Sequence, residues 1–478
     1  MSSLDFGVMA AYFAIVLAIG AHFARRAGDA NDYFLGRHHM PWVAVMFSIV
    51  ATETSALTVI SIPGIGARTN LTFLQVAIGY LVGRVGVSVW LLPGYFRGEQ
   101  ETAYHRLESR FGLLTRRVAS AIFMTVRALG DSVRVFATAI PLTIVTGWSV
   151  LTSVLVVGIV TVAYTWAGGI RAVVWVDVMQ LVLYTVGGVV AIIVAVRMAG
   201  GAGAAFTTAA EAGRFQTFDW TLSFSVPYTF ASGLIGGALL SAASHGTDHL
   251  IVQRILTLGT LTNARKALVG SGVLVIMQFA LFLIAGALIW AAGVDNGTMP
   301  SDEIFPRFIV GYLPAGLAGL VVAGILAAAM STVSSSLNSL ASATTHDFYA
   351  PLSGKKDPAH LLVVGRWATL AWAVVLMGGA LLFQSEETPV VELALSIASI
   401  TYGGLLGTYI MAGVMTRTRQ RDAITAIVVA TVAMVVIVLL KPPPFASLAW
   451  PWYVPLGTTI TLVTAFISQR FGVRPSPA

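Results

Sequence analysis

A run of small polar residues near position 330 interrupts an otherwise apolar segment and offers oxygen atoms at helical spacing. The segment reads LAAAMSTVSSSLNSLASATTHD, and its hydroxyl and amide side chains are Ser331, Thr332, Ser334, Ser335, Ser336, Asn338 and Ser339. A helical hydroxyl lies near the carbonyl three or four residues back, so we expect Ser331 and Thr332 beside the Ala328 carbonyl. Oxygen-only coordination suits hard cations such as Na+. Close packing through small residues explains the alanines equally well, but not so many hydroxyls.

A second polar cluster lies in the segment MFSIVATETSALTVISIPGIGA. Thr52, Glu53, Thr54, Ser55 and Thr58 occur together in its middle, and a Pro-Gly pair follows. A helix interrupted in this segment would expose backbone carbonyls to a cation, as in transporters that bind ions at the bilayer midplane. The alternative is that the hydroxyls bond back to the preceding turn at a mild kink.

Three charged residues are predicted to share one face of a helix: Arg127, Asp131 and Arg134. Asp131 can neutralise one arginine, which would leave one guanidinium with open donors suited to a carboxylate. The alternative is a structural charge network that also involves Glu53 or Arg84.

Other ionisable residues lie in or near apolar runs. Asp177, in RAVVWVDVMQ, needs a cation or a donor, and could complete a sodium site or tie down a neighbouring helix. His245, Asp248 and His249 are predicted at the inner end of a helix, where polar residues are normal, so a metal site there is disfavoured.

The composition requires a membrane environment for these groups. The chain has 478 residues, 57% hydrophobic and 10% charged, with a mean hydropathy of +0.84. Soluble domains carry about 25% charged residues. The absence of cysteine excludes disulfides, thiol catalysis and iron–sulfur clusters. The net charge of +7 comes from loops between apolar runs, so we expect no nucleic-acid partner, and we infer no obligate protein partner.

Spans of about 20 apolar residues can cross a bilayer. The sequence predicts thirteen transmembrane helices, near residues 4–24, 41–66, 73–96, 118–147, 149–167, 173–197, 225–245, 267–292, 313–344, 366–384, 390–415, 422–440 and 453–470. The first span lacks a basic region and a cleavage site before it, so it is predicted to be retained rather than cleaved as a signal peptide.

The distribution of Lys and Arg predicts the orientation of these spans. With the N-terminus outside, 20 basic residues fall on the inside and 5 on the outside. The chain is therefore predicted to be a multi-pass protein of the cell membrane with a cytoplasmic C-terminus. The inner segment 97–117 is either a short amphipathic surface helix or a solvated basic loop. Gly79 and Gly83 are a weak signal for helix packing.

Four segments, in order, resemble those of the sodium:solute symporter family (solute carrier family 5). They are DYFLGRHHMPWVAVMFSIVATETSA, AYTWAGGIRAVVWVDVMQ, TDHLIVQR and LPAGLAGLVVAGILAAAMSTVSSSLNSLASATTHDFY. The resemblance implies a LeuT-type, all-α membrane fold with a core of two inverted five-helix repeats. One extra helix precedes this core and two follow it. Within one transporter domain of residues 1–478, the parts are 4–40, 41–198, 225–417 and 418–478.

The resemblance also implies a sodium site between the first and eighth core helices. Its ligands, carried over by position, are the carbonyls of Ala51, Thr54 and Ala328 and the hydroxyls of Ser331 and Thr332. Some members have a second sodium site, whose residues match Asp177, Ser331, Ser334 and Ser335.

The expected activity is Na+-coupled symport of a small polar solute by alternating access, not an enzymatic reaction. A carboxylate-bearing solute is favoured, and the candidate substrate residues are Ser55, Thr58, Gln75, Arg127, Arg134, Ser241 and Ser244. Hexoses are disfavoured because Ser241, Ser244 and His245 stand where the sugar branch has Asn, Tyr and Trp. The alternatives are a sugar or polyol symporter, a membrane sensor with this fold, and proton coupling through Glu53 or Asp177.

Overall fold

A computed structural model describes residues 2–24, 29–97, 101–295, 297–382 and 390–471 of the chain. Apart from one isolated β-bridge between His39 and Leu258, the described residues form helices, turns and loops. Arg25, Arg26 and Arg474, which were predicted on the inner side, lie outside the described residues, as does the end of the tenth predicted span (383–384).

Twenty α-helices follow one another in the described parts of the chain. They are α1 (Ser3–Ala24), α2 (Ala30–Leu35), α3 (Trp42–Glu53), α4 (Ala56–Arg68), α5 (Leu74–Trp90), α6 (Leu92–Tyr95), α7 (His105–Phe111), α8 (Leu113–Thr146), α9 (Val150–Met198), α10 (Ala202–Glu211), α11 (Gly237–Gly246), α12 (His249–Leu256), α13 (Leu261–Ala291), α14 (Ser301–Tyr312), α15 (Leu317–Ala343), α16 (Ala350–Ser353), α17 (Pro358–Ala380), α18 (Val390–Val414), α19 (Gln420–Leu440) and α20 (Tyr453–Phe471). Short π-helical turns precede α11 at Ser232–Gly236 and follow α15 at Thr344–Tyr349.

Many of these helices are built to cross a membrane. Among the described residues, seven helices are long and apolar enough, or eight if the bent pair α3–α4 is one span. Helix α9 covers two predicted spans, since it runs through a kink at Gly169, whose φ of 57° and ψ of −153° are not helical. The all-helical membrane fold is thus established, whereas the count of thirteen remains a prediction.

The first discontinuous helix is the pair α3–α4, whose axes differ by 66°. The break falls at Thr54, with φ −82° and ψ 87°, and at Ser55. The Ser55 N–H donates to the Glu53 carbonyl at 3.1 Å, so the Ala51 carbonyl no longer accepts it as in a continuous helix. This confirms the predicted interruption, which lies at the hydroxyl cluster, while α4 continues through Pro63.

A second discontinuous helix was not predicted. The span expected at 225–245 begins instead at Ser232, breaks after Gly246, and resumes as α12. Asp248 begins the new helix as its N-cap, because its Oδ1 accepts the Leu250 N–H at 2.9 Å. His245 lies in the last turn of α11, at a helix end as predicted, whereas Asp248 and His249 begin α12. They flank a break, and all three are buried.

Glycines bring the helices around these breaks into close contact. A Cβ on Gly79 would lie 2.2 Å from the Gly233 carbonyl oxygen, and one on Gly83 would lie 2.2 Å from that of Ala238. The predicted packing role of the Gly79 and Gly83 pair is confirmed, because only glycine permits this approach of α5 to the second discontinuous helix.

Two hydrogen bonds join the beginning of α1 to the beginning of α15. The Asp5 Oδ1 accepts the N–H groups of Gly316 and Gly319 at 2.7 and 2.8 Å, so α1 and α15 begin at the same surface.

In the predicted inner segment 97–117, α7 is the short helix that was expected, and α8 begins within the same segment.

Candidate functional site

The predicted sodium ligands lie on two elements that touch each other, the break between α3 and α4 and the middle of α15. Thr52 and Ser335 join them through a hydrogen bond of 3.2 Å between their hydroxyls. Thr332 Oγ1 donates to the Ala328 carbonyl at 3.3 Å, as helical spacing predicted. All of these residues are buried. Carbonyl and hydroxyl oxygens at the end of an interrupted helix can coordinate Na+ there.

The unwound residue Thr54 is held by a helix that sequence reasoning did not connect to it. Its hydroxyl donates to Gln278 Oε1 on α13 at 2.9 Å. The Gln278 amide nitrogen is buried without a hydrogen-bond partner among the described residues. This bond fixes the side chain of a residue whose carbonyl is a predicted ligand.

Asp177 has a resident cation as its partner. Arg254 Nη2 lies 3.1 Å from Asp177 Oδ2, and both side chains are fully buried. Ser48 and Ser331 donate to the same carboxylate at 2.5 and 2.6 Å, and Ser335 accepts from Arg254. Arg254 is one of the 20 basic residues that were predicted on the inner side, and its placement in a loop there is wrong, because α12 carries it into the protein core.

The predicted second sodium set is therefore gathered only in part. Ser331 and Asp177 are in direct contact, whereas the Ser334 hydroxyl donates to the Ser331 carbonyl at 3.0 Å. Ser335 Oγ donates to that same carbonyl at 2.6 Å. Arg254 already balances the charge of Asp177, so this carboxylate does not need Na+ for neutrality.

The two arginines of α8 have different partners. Arg127 Nη2 donates to Asp248 and to the Tyr402 hydroxyl, which itself donates to Asp248 at 2.6 Å. Arg134 donates from Nη1 to Asp131 at 2.9 Å, and its Nε has no partner among the described residues. Arg134 is also the more exposed of the two, at 19% against 8%.

The expectation that α8 retains a net positive charge is wrong. Asp248, which is 121 residues away in the chain, neutralises Arg127. Asp131 neutralises Arg134 and also accepts the Ser336 hydroxyl of α15. The spacing along α8 could not reveal Asp248, because this partner belongs to another helix.

A cavity adjoins the first break and reaches both arginines. Its polar walls include Thr52, Glu53, Thr58, Arg134, Ser244 and His245. Aromatic surfaces come from Phe73, which caps the N-terminus of α5, from Tyr80 of α5 and from Phe279 of α13. Aromatic surfaces are thus present in the cavity, although they come from other helices than the one that carries Ser241, Ser244 and His245, and the expectation against hexoses stays a prediction.

Of the predicted substrate residues, Thr58, Arg127, Arg134 and Ser244 line this cavity, and Ser55, Gln75 and Ser241 are not among its described lining residues. Gln75 Nε2 instead donates to the Tyr228 carbonyl at 2.9 Å, and its Oε1 accepts the Asp219 N–H at 3.1 Å. Gln75 thus ties α5 to the segment before the second discontinuous helix, and its role in substrate binding stays a prediction.

Glu53 and His245 are two ionisable residues of the cavity that were not predicted to bind the substrate. Glu53 Oε2 is paired with the fully buried Arg84 of α5. The predicted alternative joined the α8 charges to Glu53 or Arg84, whereas the ion pairs of Arg127 and Arg134 are with Asp248 and Asp131. His245 Nδ1 lies 2.7 Å from Ser244 Oγ, and its Nε2 has no hydrogen-bond partner among the described residues.

Comparison with known proteins agrees with this geometry. The model of the sodium:solute symporter family matches residues 33–430. The sodium/sialic acid symporter NanT of Aliivibrio fischeri is 28% identical over 480 residues, covering 98% of this chain and 93% of the relative. The sodium-coupled monocarboxylate transporter 2 of Danio rerio is 29% identical over 450 residues, covering 89% of this chain and 70% of the relative.

A solved structure has the same architecture. It is the substrate-bound, outward-open state of a Na+-coupled sialic acid symporter, described as revealing a novel Na+ site. The TM-score is 0.89 at 25% sequence identity, and the alignment covers 99% of this chain and 98% of the other.

Proposed function

The chain belongs to the sodium:solute symporter family, and on that premise we propose that it transports a carboxylate-bearing solute, with Arg134 as the carboxylate receptor. It is a multi-pass membrane protein that couples solute movement to Na+. The observation that carries the proposal is the state of Arg134, whose guanidinium lines the cavity with Nη1 on Asp131 and Nε without a partner among the described residues. An arginine can hold a carboxylate through two parallel hydrogen bonds.

The break between α3 and α4 explains how sodium and solute can be coupled. Ala51 and Thr54, the proposed carbonyl ligands, are in the same short segment as Thr52 and Glu53, which form a cavity wall. Sodium that orders this segment would also order the wall that faces the solute. Each ligand would then bind more tightly in the presence of the other, since coupling free energies are reciprocal.

Charge balance favours the same coupling. The ionised groups around the cavity form three pairs, Arg84–Glu53, Arg127–Asp248 and Arg134–Asp131. Their sum is neutral, so an anionic solute adds an uncompensated negative charge at membrane depth. A sodium ion bound to Ala51, Thr54, Ala328, Ser331 and Thr332 would offset that charge nearby. The arginines of α8 provide no excess positive charge for the anionic solute, and Na+ would supply it.

We further propose thirteen spans, with the N-terminus outside and the C-terminus in the cytoplasm. Arg254 lies in the core and no longer counts among the residues of the inner loops, but basic residues remain in large excess on the inner side. The contact of Asp5 with Gly316 and Gly319 supports this arrangement, because the first and ninth spans then start at the same membrane surface.

The experiment that tests the proposal is uptake into proteoliposomes containing the purified protein. Radiolabelled N-acetylneuraminate, lactate and galactose are each supplied with an inward Na+ gradient, with choline replacing Na+, and with an inward proton gradient alone. We expect uptake of a carboxylate that depends on Na+. Uptake of galactose alone would refute the carboxylate assignment, and uptake driven by protons in choline would refute the role of Na+.

A further inference from the structure

Two neighbouring polar residues of the cavity lining, Glu53 and His245, offer hydrogen-bond acceptors. Glu53 lies at the helix break with 16% of its side chain exposed, and its Oε2 is paired with Arg84. His245 Nε2 lies 3.7 Å from that same oxygen, beyond hydrogen-bond distance. Since the His245 Nδ1 lies within hydrogen-bond distance of Ser244 Oγ and the Ser241 carbonyl, Nε2 is the ring atom that remains for a ligand.

These groups stand on different elements from the carboxylate receptor. Glu53 ends α3 and His245 lies in the last turn of α11, whereas Arg134 belongs to α8. All three line the same cavity. A solute whose carboxylate is bound to Arg134 therefore shares its cavity with Glu53 and His245 as well as with aromatic and aliphatic side chains such as Phe73 and Ile251.

The chemistry of Glu53 and His245 disfavours an alkyl chain beside these two residues. An ionised carboxylate accepts hydrogen bonds and cannot donate them. An alkyl tail would displace water from Glu53 and His245 without replacing its hydrogen bonds, and an unsatisfied buried polar group is costly. A hydroxyl group can donate to Glu53 and can either donate to or accept from His245.

The pairing of Glu53 decides between hydroxyl and ammonium groups. Arg84 is fully buried and neutralises the charge of Glu53. An ammonium group beside Glu53 would therefore add a positive charge next to Arg84 without an acidic partner of its own. A neutral hydroxyl brings no such charge.

We infer that Glu53 and His245 form a second recognition site within the cavity that binds hydroxyl groups, so the solute is a hydroxylated carboxylate. The inference rests on the proposed function and narrows it. It separates polyhydroxylated acids from the unsubstituted monocarboxylates and from the amino acids, all of which carry the group that Arg134 would bind.

The test is ligand binding to the purified full-length protein in the presence of Na+. Binding is measured by the change in intrinsic tryptophan fluorescence or by the shift in melting temperature. The probes form matched sets. Gluconate and hexanoate have the same six-carbon chain and differ in hydroxyl groups, while lactate, alanine and propionate differ in one substituent. We expect gluconate to bind more than about tenfold tighter than hexanoate, and lactate to bind tighter than both alanine and propionate.

Two variants connect this preference to the named residues. Glu53→Gln removes the charge, and His245→Asn removes the atom at Nε2 while retaining an equivalent of Nδ1. Each should reduce the preference for gluconate over hexanoate by about tenfold, whereas His245→Gln, which keeps a polar atom near the position of Nε2, should retain more of it. If Glu53→Gln fails to fold because Arg84 loses its partner, His245→Asn alone decides.

Equal binding of hexanoate and gluconate would overturn the inference and leave the carboxylate function intact. Tighter binding of alanine than lactate would overturn the hydroxyl assignment, as would an unchanged preference in the histidine variant. Binding of galactose without binding of any of these acids would overturn the proposed function as well.

Discussion

Arg134→Lys should weaken binding of a carboxylate solute without unfolding the protein. The structure gives Arg134 one hydrogen bond to Asp131 and 19% side-chain exposure, so a lysine can keep the ion pair. It cannot form two parallel bonds to a carboxylate. A hydrogen bond to a charged group contributes about 1.5–3 kcal/mol, which corresponds to roughly a ten- to hundredfold increase in Kd.

The assay is the Kd of a transported carboxylate, measured in saturating Na+ on the purified protein and paired with the melting temperature. Arg127→Lys is the matched control. Its guanidinium is 8% exposed and bonded to Asp248 and Tyr402, so its replacement should cost about 1–3 kcal/mol of stability through unsatisfied buried partners. The effect of this control on solute affinity should be smaller.

The opposite pattern would refute this reasoning. If Arg127→Lys weakens solute binding strongly while Arg134→Lys binds normally and melts early, the roles of the two arginines are exchanged. If both variants bind the carboxylate with unchanged Kd, neither arginine receives it.

Three further predictions concern the ions and the topology. Thr332→Ala should raise the Na+ concentration for half-maximal uptake, because it removes one of few oxygen ligands; an unchanged value would remove Thr332 from the site. Asp177→Asn should destabilise the protein by about 3–5 kcal/mol, since it leaves Arg254 buried without its charge partner; normal melting with a lower Hill coefficient for Na+ would restore Asp177 as a sodium ligand. A cysteine replacing Ser2, in a chain without native cysteine, should react with an impermeant thiol reagent in intact cells, and labelling only after permeabilisation would reverse the topology.

The interruption of the first core helix could be read from the sequence because its signal is local. Thr52, Thr54 and Ser55 lie within four residues, and a hydroxyl can bond to the backbone of its own turn, as Thr52 does to the Ser48 carbonyl. The Thr54 hydroxyl bonds instead to Gln278 of α13, which the sequence did not indicate. The second interruption also has hydroxyls beside it, since Ser244 and Thr247 donate to the carbonyls of Ser241 and Ala243, but they alone did not predict a break. It depends on Asp248, which caps α12 and at the same time pairs with Arg127. A single aspartate in the sequence does not indicate both of these roles.

The apolar spans, the break at Thr54 and the Thr332–Ala328 contact were determined by the sequence itself, since each follows from the period of one helix or from residues a few positions apart. The pairs Asp177–Arg254 and Arg127–Asp248 were decided only by the tertiary structure. Each arginine at membrane depth had several acidic residues that could neutralise it, and helical spacing ranks only those on its own helix. Which partner it meets depends on how the broken helices turn and pack, because burial makes an unpaired charge costly but does not specify the helix that supplies its partner.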